Sequence, residues 1–211
     1  MITSFKNVLV LAPHTDDGEL GAGATISKLI EHGAKVTYVA FSTASNSIPE
    51  GFPKDILKKE VKKATLELGI NPKDLIIYNY EVRKLNFHRQ EILENLIELR
   101  EENNFDLVLT PSLQDIHQDH ATIAQESLRA FKNITILGYE LIWNNLSFDT
   151  KCFVRLEERH IKSKQVALKH YQSQGSRNYL SEDFTFSLAK VRGVQCGSVF
   201  AECFEIIRMQ L

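Results

Sequence analysis

The feature that most constrains this chain is a rhythm. Short, nearly continuous apolar runs alternate with segments whose apolar residues recur at helical spacing. Residues 8–11, 35–41, 75–79, 106–110 and 135–139 read as strands, and residues 19–32, 54–68, 88–102 and 120–131 read as helices. Gly33 and Gly69 follow two of these helices, where a glycine commonly ends the last turn. Strands that are apolar throughout, rather than at every second residue, must be covered on both faces. The pattern therefore predicts an α/β fold, a mostly parallel sheet with helices on both sides. The last third is less regular. Residues 156–172 look helical, 184–191 fit neither period, and 203–209 (CFEIIRM) read as a strand. No repeat, low-complexity tract or linker divides the chain, so one domain over residues 1–211 is expected.

Composition excludes several function classes. The net charge is −2, with 43% hydrophobic and 25% charged residues. No clustered basic excess marks a nucleic-acid surface. No apolar run approaches the roughly 18–20 residues of a membrane span. The first residues, MITSFKNVLVLAPHTDD, do not read as a secretion signal, because the apolar stretch is short and runs into charge. Cys152, Cys196 and Cys203 are an odd number without C-x-x-C spacing, which argues against a disulfide framework and a cysteine zinc site. A reduced, cytoplasmic protein is expected.

Two segments carry the chemistry. The first strand ends in PHTDDGELGAG, placing His14, Asp16 and Asp17 just beyond its carboxyl end. The fourth ends in TPSLQDIHQDH, placing Asp115, His117, Asp119 and His120 beyond its own. In open α/β sheets, ligands bind at the carboxyl ends of the strands. Either segment alone reads equally well as an acidic helix start with surface histidines. Together, at matching strand ends, they make a site. Two imidazoles and a carboxylate with an open position suit catalytic zinc, and further carboxylates beside it suit proton transfer. The glycines after His14 are a poor dinucleotide fingerprint: Gly21-x-Gly23-x-x-Ile26 lacks the third glycine, and no acidic residue ends the second strand. They are read instead as a close helix–sheet contact.

His14-Thr15-Asp16-Asp17, with Glu19-Leu20-Gly21 and Thr25-Ile26 after it, resembles the His-Pro-Asp-Asp signature of LmbE-like/PIG-L N-deacetylases. His117-Gln118-Asp119-His120 resembles that family's His-x-Asp-His signature, and residues 83–92 and 162–174 extend the likeness. The resemblance implies a Rossmann-like three-layer fold and zinc-dependent hydrolysis of an N-acetyl or other N-acyl group on an amino sugar or its conjugate. It implies one zinc per chain held by His14, Asp17 and His120, and Asp16 as general base toward an attacking water. It implies that His117 stabilises the oxyanion or protonates the leaving amine, that Asp119 orients a histidine, and that Arg83 contacts substrate. Relatives of this kind often form homo-oligomers. Thr15 departs from the usual proline, and Gly18 stands where many members carry glutamate. Trp143, after the fifth strand, suits stacking on a sugar face. Lys162 and Lys164 read as a solvated helix face. The partner is a small amino-sugar molecule. The rival readings are another metal-dependent hydrolase, such as a phosphoesterase, and a non-catalytic metal- or sugar-binding protein.

Overall fold

The computed structural model describes residues 2–210. The strands are β1 (Asn7–His14), β2 (Lys35–Ser42), β3 (Leu75–Ile77), β4 (Leu107–Pro111), β5 (Thr135–Tyr139), β6 (Cys152–Leu156) and β7 (Phe200–Arg208). The helices are α1 (Asp17–Glu31), α2 (Ile56–Glu67), α3 (Arg89–Glu102), α4 (Gln118–Ala130), α5 (Glu158–Leu168) and α6 (Glu182–Gln195). All strands join one sheet in the order β3-β2-β1-β4-β5-β7-β6. The pairings from β3 to β5 are parallel; those of β7 with β5 and β6 are antiparallel.

The central strand shows why its sequence is apolar without interruption. Val8, Val10 and Ala12 pack under α1, α2 and α5, whereas Leu9 and Leu11 pack against residues of α3 and α4 such as Leu96 and Ile123. Each strand residue thus has a core to enter, whichever face it points to. The mostly parallel sheet with helices on both faces agrees with the sequence pattern. The irregular last third supplies the antiparallel edge: residues 203–209 extend to the longer β7, and β6 pairs with it at the margin.

α1 lies unusually close to the sheet. A β-carbon at Gly21 would stand 2.2 Å from the Tyr139 ring, and one at Gly18 would stand 2.6 Å from the Tyr38 ring. The departure at Gly18 therefore has a local cause: Tyr38 fills the space a side chain there would need. No helix among the described residues is long and apolar enough to cross a membrane.

The chain runs from β1 outward through β2 to β3, then returns to the other side of β1 as β4 and continues to β5. The strand order reverses between β1 and β4. The loops leaving their carboxyl ends part in opposite directions there and open a crevice.

Candidate active site

The crevice beyond β1 and β4 brings together the two segments singled out in the sequence. Asp17 is the first residue of α1, and its buried carboxylate accepts the His14 backbone N–H at 2.8 Å. Asp17 Oδ2 also lies 3.1 Å from His14 Nδ1 and 3.2 Å from His120 Nε2. Those two nitrogens are 3.2 Å apart. The three donor atoms form a near-equilateral triangle. Zinc–ligand bonds of ~2.0–2.1 Å in tetrahedral geometry set donor atoms roughly 3.3 Å apart, so the triangle fits one face of such a site.

The far nitrogens of both imidazoles are held by carboxylates. His14 Nε2 lies 3.0 Å from Asp119 Oδ2, and His120 Nδ1 lies 2.8 Å from Asp115 Oδ2. Such carboxylate–imidazole pairs fix ring orientation and raise ligand basicity. Asp119 also accepts the backbone N–H groups of Arg83, at 2.6 Å, and Leu85, at 3.2 Å, which ties the loop after β3 to the centre. Asp115 further accepts the His117 N–H at 2.8 Å. The orienting part of Asp115 is not signalled by either short motif; its position at the strand end was the only clue.

Burial alone would lower the His14 pKa, but the charges and hydrogen bonds of Asp17 and Asp119 outweigh it and lift it to about 9. His120 is treated likewise: burial opposes, while Asp17 and Asp115 prevail and lift it to about 10. Burial would raise Asp17, yet His120 and His14 hold it well below the usual carboxylate range. The carboxylates thus create a field that demands a positive charge at their centre. The same field favours a divalent cation.

Asp16 and His117 stand beside this triangle in different states. Asp16 is the N-cap residue of α1, but its side chain makes no capping bond. Burial, then the neighbouring Asp17 charge, raises its pKa to about 6. His117 precedes α4 as its N-cap, and its Nδ1 accepts the Asp119 N–H at 3.1 Å. Neutral His117 must then carry its proton on Nε2, making that atom a donor. Burial, followed by the proximity of His120 and His14, lowers its pKa to about 4. One nitrogen from each of His14, His117 and His120 does fall within a sphere compatible with a metal. The tighter triangle through Asp17, and the His117 tautomer, favour Asp17 over His117 as third donor.

A cavity of about 320 Å³ opens over these groups. The loops 42–53, 80–88, 143–150 and 173–183 all reach it, through Ala44 and Ser47, Val82 and Arg83, Trp143 and Asn144, and Gln174, Arg177 and Tyr179. Trp143 lines it, but one face of its indole is covered by Tyr179, with ring centroids 3.9 Å apart and planes 12° from parallel. Arg177, Tyr179 and Gln174 were not singled out in the sequence, since they lie in a segment without periodicity or motif. Among the described residues, the non-glycine positions with positive φ are Ala44, at 45°, and Arg83, at 66°. Both line the cavity, and strained backbone of this kind gathers at functional sites.

A profile for the family described as PIG-L, GlcNAc-PI de-N-acetylase, matches residues 9–131. The chain is 28% identical over 174 residues to the uncharacterized deacetylase YaiS of Escherichia coli K12, covering 80% of this chain and 91% of that protein. It is 29% identical over 140 residues to the probable N-acetyl-alpha-D-glucosaminyl L-malate deacetylase 2 of Bacillus cereus, covering 59% of this chain and 60% of that protein. The N,N'-diacetylchitobiose deacetylase of Pyrococcus horikoshii superposes with a TM-score of 0.78 at 21% identity, covering 98% of this chain and 85% of that one.

Proposed function

The chain belongs to the PIG-L family of de-N-acetylases, and from that premise we propose that it is a zinc-dependent hydrolase removing an N-acetyl group from an amino sugar or amino-sugar conjugate. The observation that carries this reading is the donor triangle of His14, Asp17 and His120 with an uncommitted carboxylate, Asp16, beside it. His14, Asp17 and His120 would hold one zinc ion per chain, which when bound would supply an electrophile for the acyl oxygen and acidify a water. The whole chain, 1–211, acts as one catalytic domain, in a reducing cytoplasmic setting that suits three cysteines free of disulfides.

The remaining steps belong to the protein's own side chains. Ionised Asp16 takes a proton from the attacking water as its oxygen bonds to the acyl carbon. The Nε2–H of His117 donates to the acyl oxygen as it becomes negative, while Asp119 and Asp115 keep the His14 and His120 rings in place. The C–N bond then breaks, and Asp16 returns its proton to the amine nitrogen. A pKa of about 6 suits a group that must accept and then release a proton near neutrality. His117, held neutral, is a hydrogen-bond donor rather than the source of the amine's proton. Arg83 and Trp143 contact the sugar part.

The test is a screen of N-acetyl amino sugars for free-amine release by protein reconstituted with zinc. Amine should appear with zinc and disappear after chelation. No amine from any N-acetyl sugar, at one zinc bound per chain, would overturn the reading.

A further inference from the structure

α2 sends a buried carboxylate toward the wall of the cavity. Glu60 spends both oxygens on one residue: Oε1 accepts the Ser173 backbone N–H at 2.9 Å, and Oε2 accepts the Ser173 hydroxyl at 2.6 Å. Gln174, the next residue, is buried and lines the cavity. Its Nε2 lies 3.2 Å from the same Ser173 oxygen. The order of donors and acceptors leaves one solution. A carboxylate only accepts, so the single hydroxyl proton of Ser173 points to Glu60. The serine oxygen can then only accept from its other side, so Gln174 must offer it an amide N–H. Glu60 and Ser173 therefore fix which way round the Gln174 amide stands, with its carbonyl oxygen turned away from Ser173. No donor among the described residues reaches that oxygen, and it is not sealed from solvent. The turn itself is held against the loop that carries Asp16. The Gln174 N–H donates to the Tyr171 carbonyl at 3.0 Å, and the Tyr171 hydroxyl donates at 2.7 Å to the Thr15 carbonyl, which is joined to Asp16.

We propose that Gln174 is a specificity-determining residue whose carbonyl oxygen accepts a hydrogen bond from a hydroxyl of the sugar. Glu60, acting through Ser173, is the positioning residue that keeps this oxygen, rather than the NH2 group, turned to the cavity. The proposal rests on the reading of the cavity as an amino-sugar site. A glutamine kept for structure alone would engage both ends of its buried amide within the protein. Here only the nitrogen is engaged. The oxygen is a neutral acceptor held in place before substrate arrives, and hydroxyls are the donors in which an amino sugar is rich. Glu60 is not part of the cavity lining, so it acts on specificity without touching the sugar. The relay has a consequence peculiar to it. In Glu60→Gln, the new amide oxygen must stay with the Ser173 N–H, so the new NH2 group donates to the hydroxyl oxygen. The serine proton then turns to Gln174 and demands its carbonyl, and Gln174 presents NH2 to the cavity. Glu60→Gln thus converts an acceptor into a donor at a residue it does not replace.

Trp143 is the only tryptophan and lines the cavity, so its fluorescence reads occupancy without requiring turnover. The probes are N-acetylglucosamine and its 1-, 3-, 4- and 6-deoxy analogues. Wild-type protein should bind at least one deoxy analogue about tenfold more weakly than the parent sugar, the scale of one lost hydrogen bond. Gln174→Met should weaken the parent about tenfold and leave that analogue within about twofold. Glu60→Gln should reproduce the pattern. The double variant should be no worse than Gln174→Met alone, because both changes act on one contact. A merely structural loss weakens every sugar alike. An equal loss for all the sugars in Gln174→Met, or a hydroxyl preference unmoved by Glu60→Gln, would overturn the proposal. Equal wild-type affinities for all the sugars, or no binding of any, would overturn it as well, and neither result needs a variant to fold. Amine release with a preference unmoved by either variant leaves the deacetylase reading standing and removes the role of Gln174. A preference that depends on Gln174 and Glu60, without amine release, does the reverse.

Discussion

Asp16 and Asp17 are neighbours with the same side chain, yet they stand in opposite states. Asp17 faces two imidazoles and is held ionised; Asp16 faces burial and the Asp17 charge, and its pKa rises to about 6. One is suited to holding a cation, the other to moving a proton. The roles separate experimentally because they predict different losses. Asp16→Asn should keep its zinc and lose turnover by ~10²–10⁴, the usual worth of a positioned base. His117→Ala should also keep zinc and lose ~10²–10³, the worth of one oxyanion donor. Zinc content and turnover measured on the same samples decide both. Asp16→Asn within a few-fold of wild type removes the base, and zinc lost from His117→Ala makes that residue a ligand.

At the scale of elements, α1 is fastened by a buried ion pair from two other elements. Lys164 of α5 reaches the Leu20 carbonyl at 2.6 Å and Glu202 of β7 at 2.8 Å. Glu202 in turn accepts the N–H groups of Ala24, at 3.2 Å, and Thr25, at 2.7 Å. Lys164 is thus not on a solvated face, contrary to what its own helix suggests. Only Lys162, paired with Glu158 at 2.8 Å, is exposed. Lys164→Ala strands a buried carboxylate and should cost about 3–5 kcal/mol. Lys162→Ala should cost no more than about 0.5 kcal/mol. Chemical denaturation of both variants checks the contrast, and equal losses would refute it. The misreading has a physical source: Glu202 is remote in sequence, and periodicity within one helix says nothing about a partner in a distant strand. By the same logic β1, β2, β4 and β5 were legible, since double-sided burial writes itself as an apolar run, and β3 was legible as a short apolar run although it is a half-buried edge strand. The marginal β6, where the exposed Arg155 stands between buried Val154 and Leu156, was not. His14 to Asp17 and His117 to His120 were legible because local spacing carries them. Arg177 and Tyr179 were not, for loops obey no period.

At the scale of the whole molecule, the acidic centre sets how stability depends on pH. In metal-free protein, His14 and His120 are raised to about 9 and about 10 from an ordinary value of 6.5. Raised folded-state values mean that their contribution is fully present below pH 6.5 and is lost as pH rises through 9 and 10. The metal-free melting temperature should therefore fall between pH 7 and pH 10. Zinc requires both imidazoles neutral, so loading at pH 7 should release about two protons, one from each ring. Calorimetry in buffers of different ionisation enthalpy counts them, and release near zero would contradict the ligand assignment. The adjacency of β1 and β4 has a consequence for biogenesis as well. The backbone of Asn7 bonds Asp106 across a separation of 99 residues, and the two halves of the donor set are divided by a comparable length of chain. A nascent chain that has not yet delivered β4 from the ribosome offers His14 and Asp17 alone, without His120. On the proposed ligand set, acquisition of the metal would be deferred until the centre of the sheet has closed, and an arrested or truncated amino-terminal fragment would have no complete chelate with which to sequester zinc.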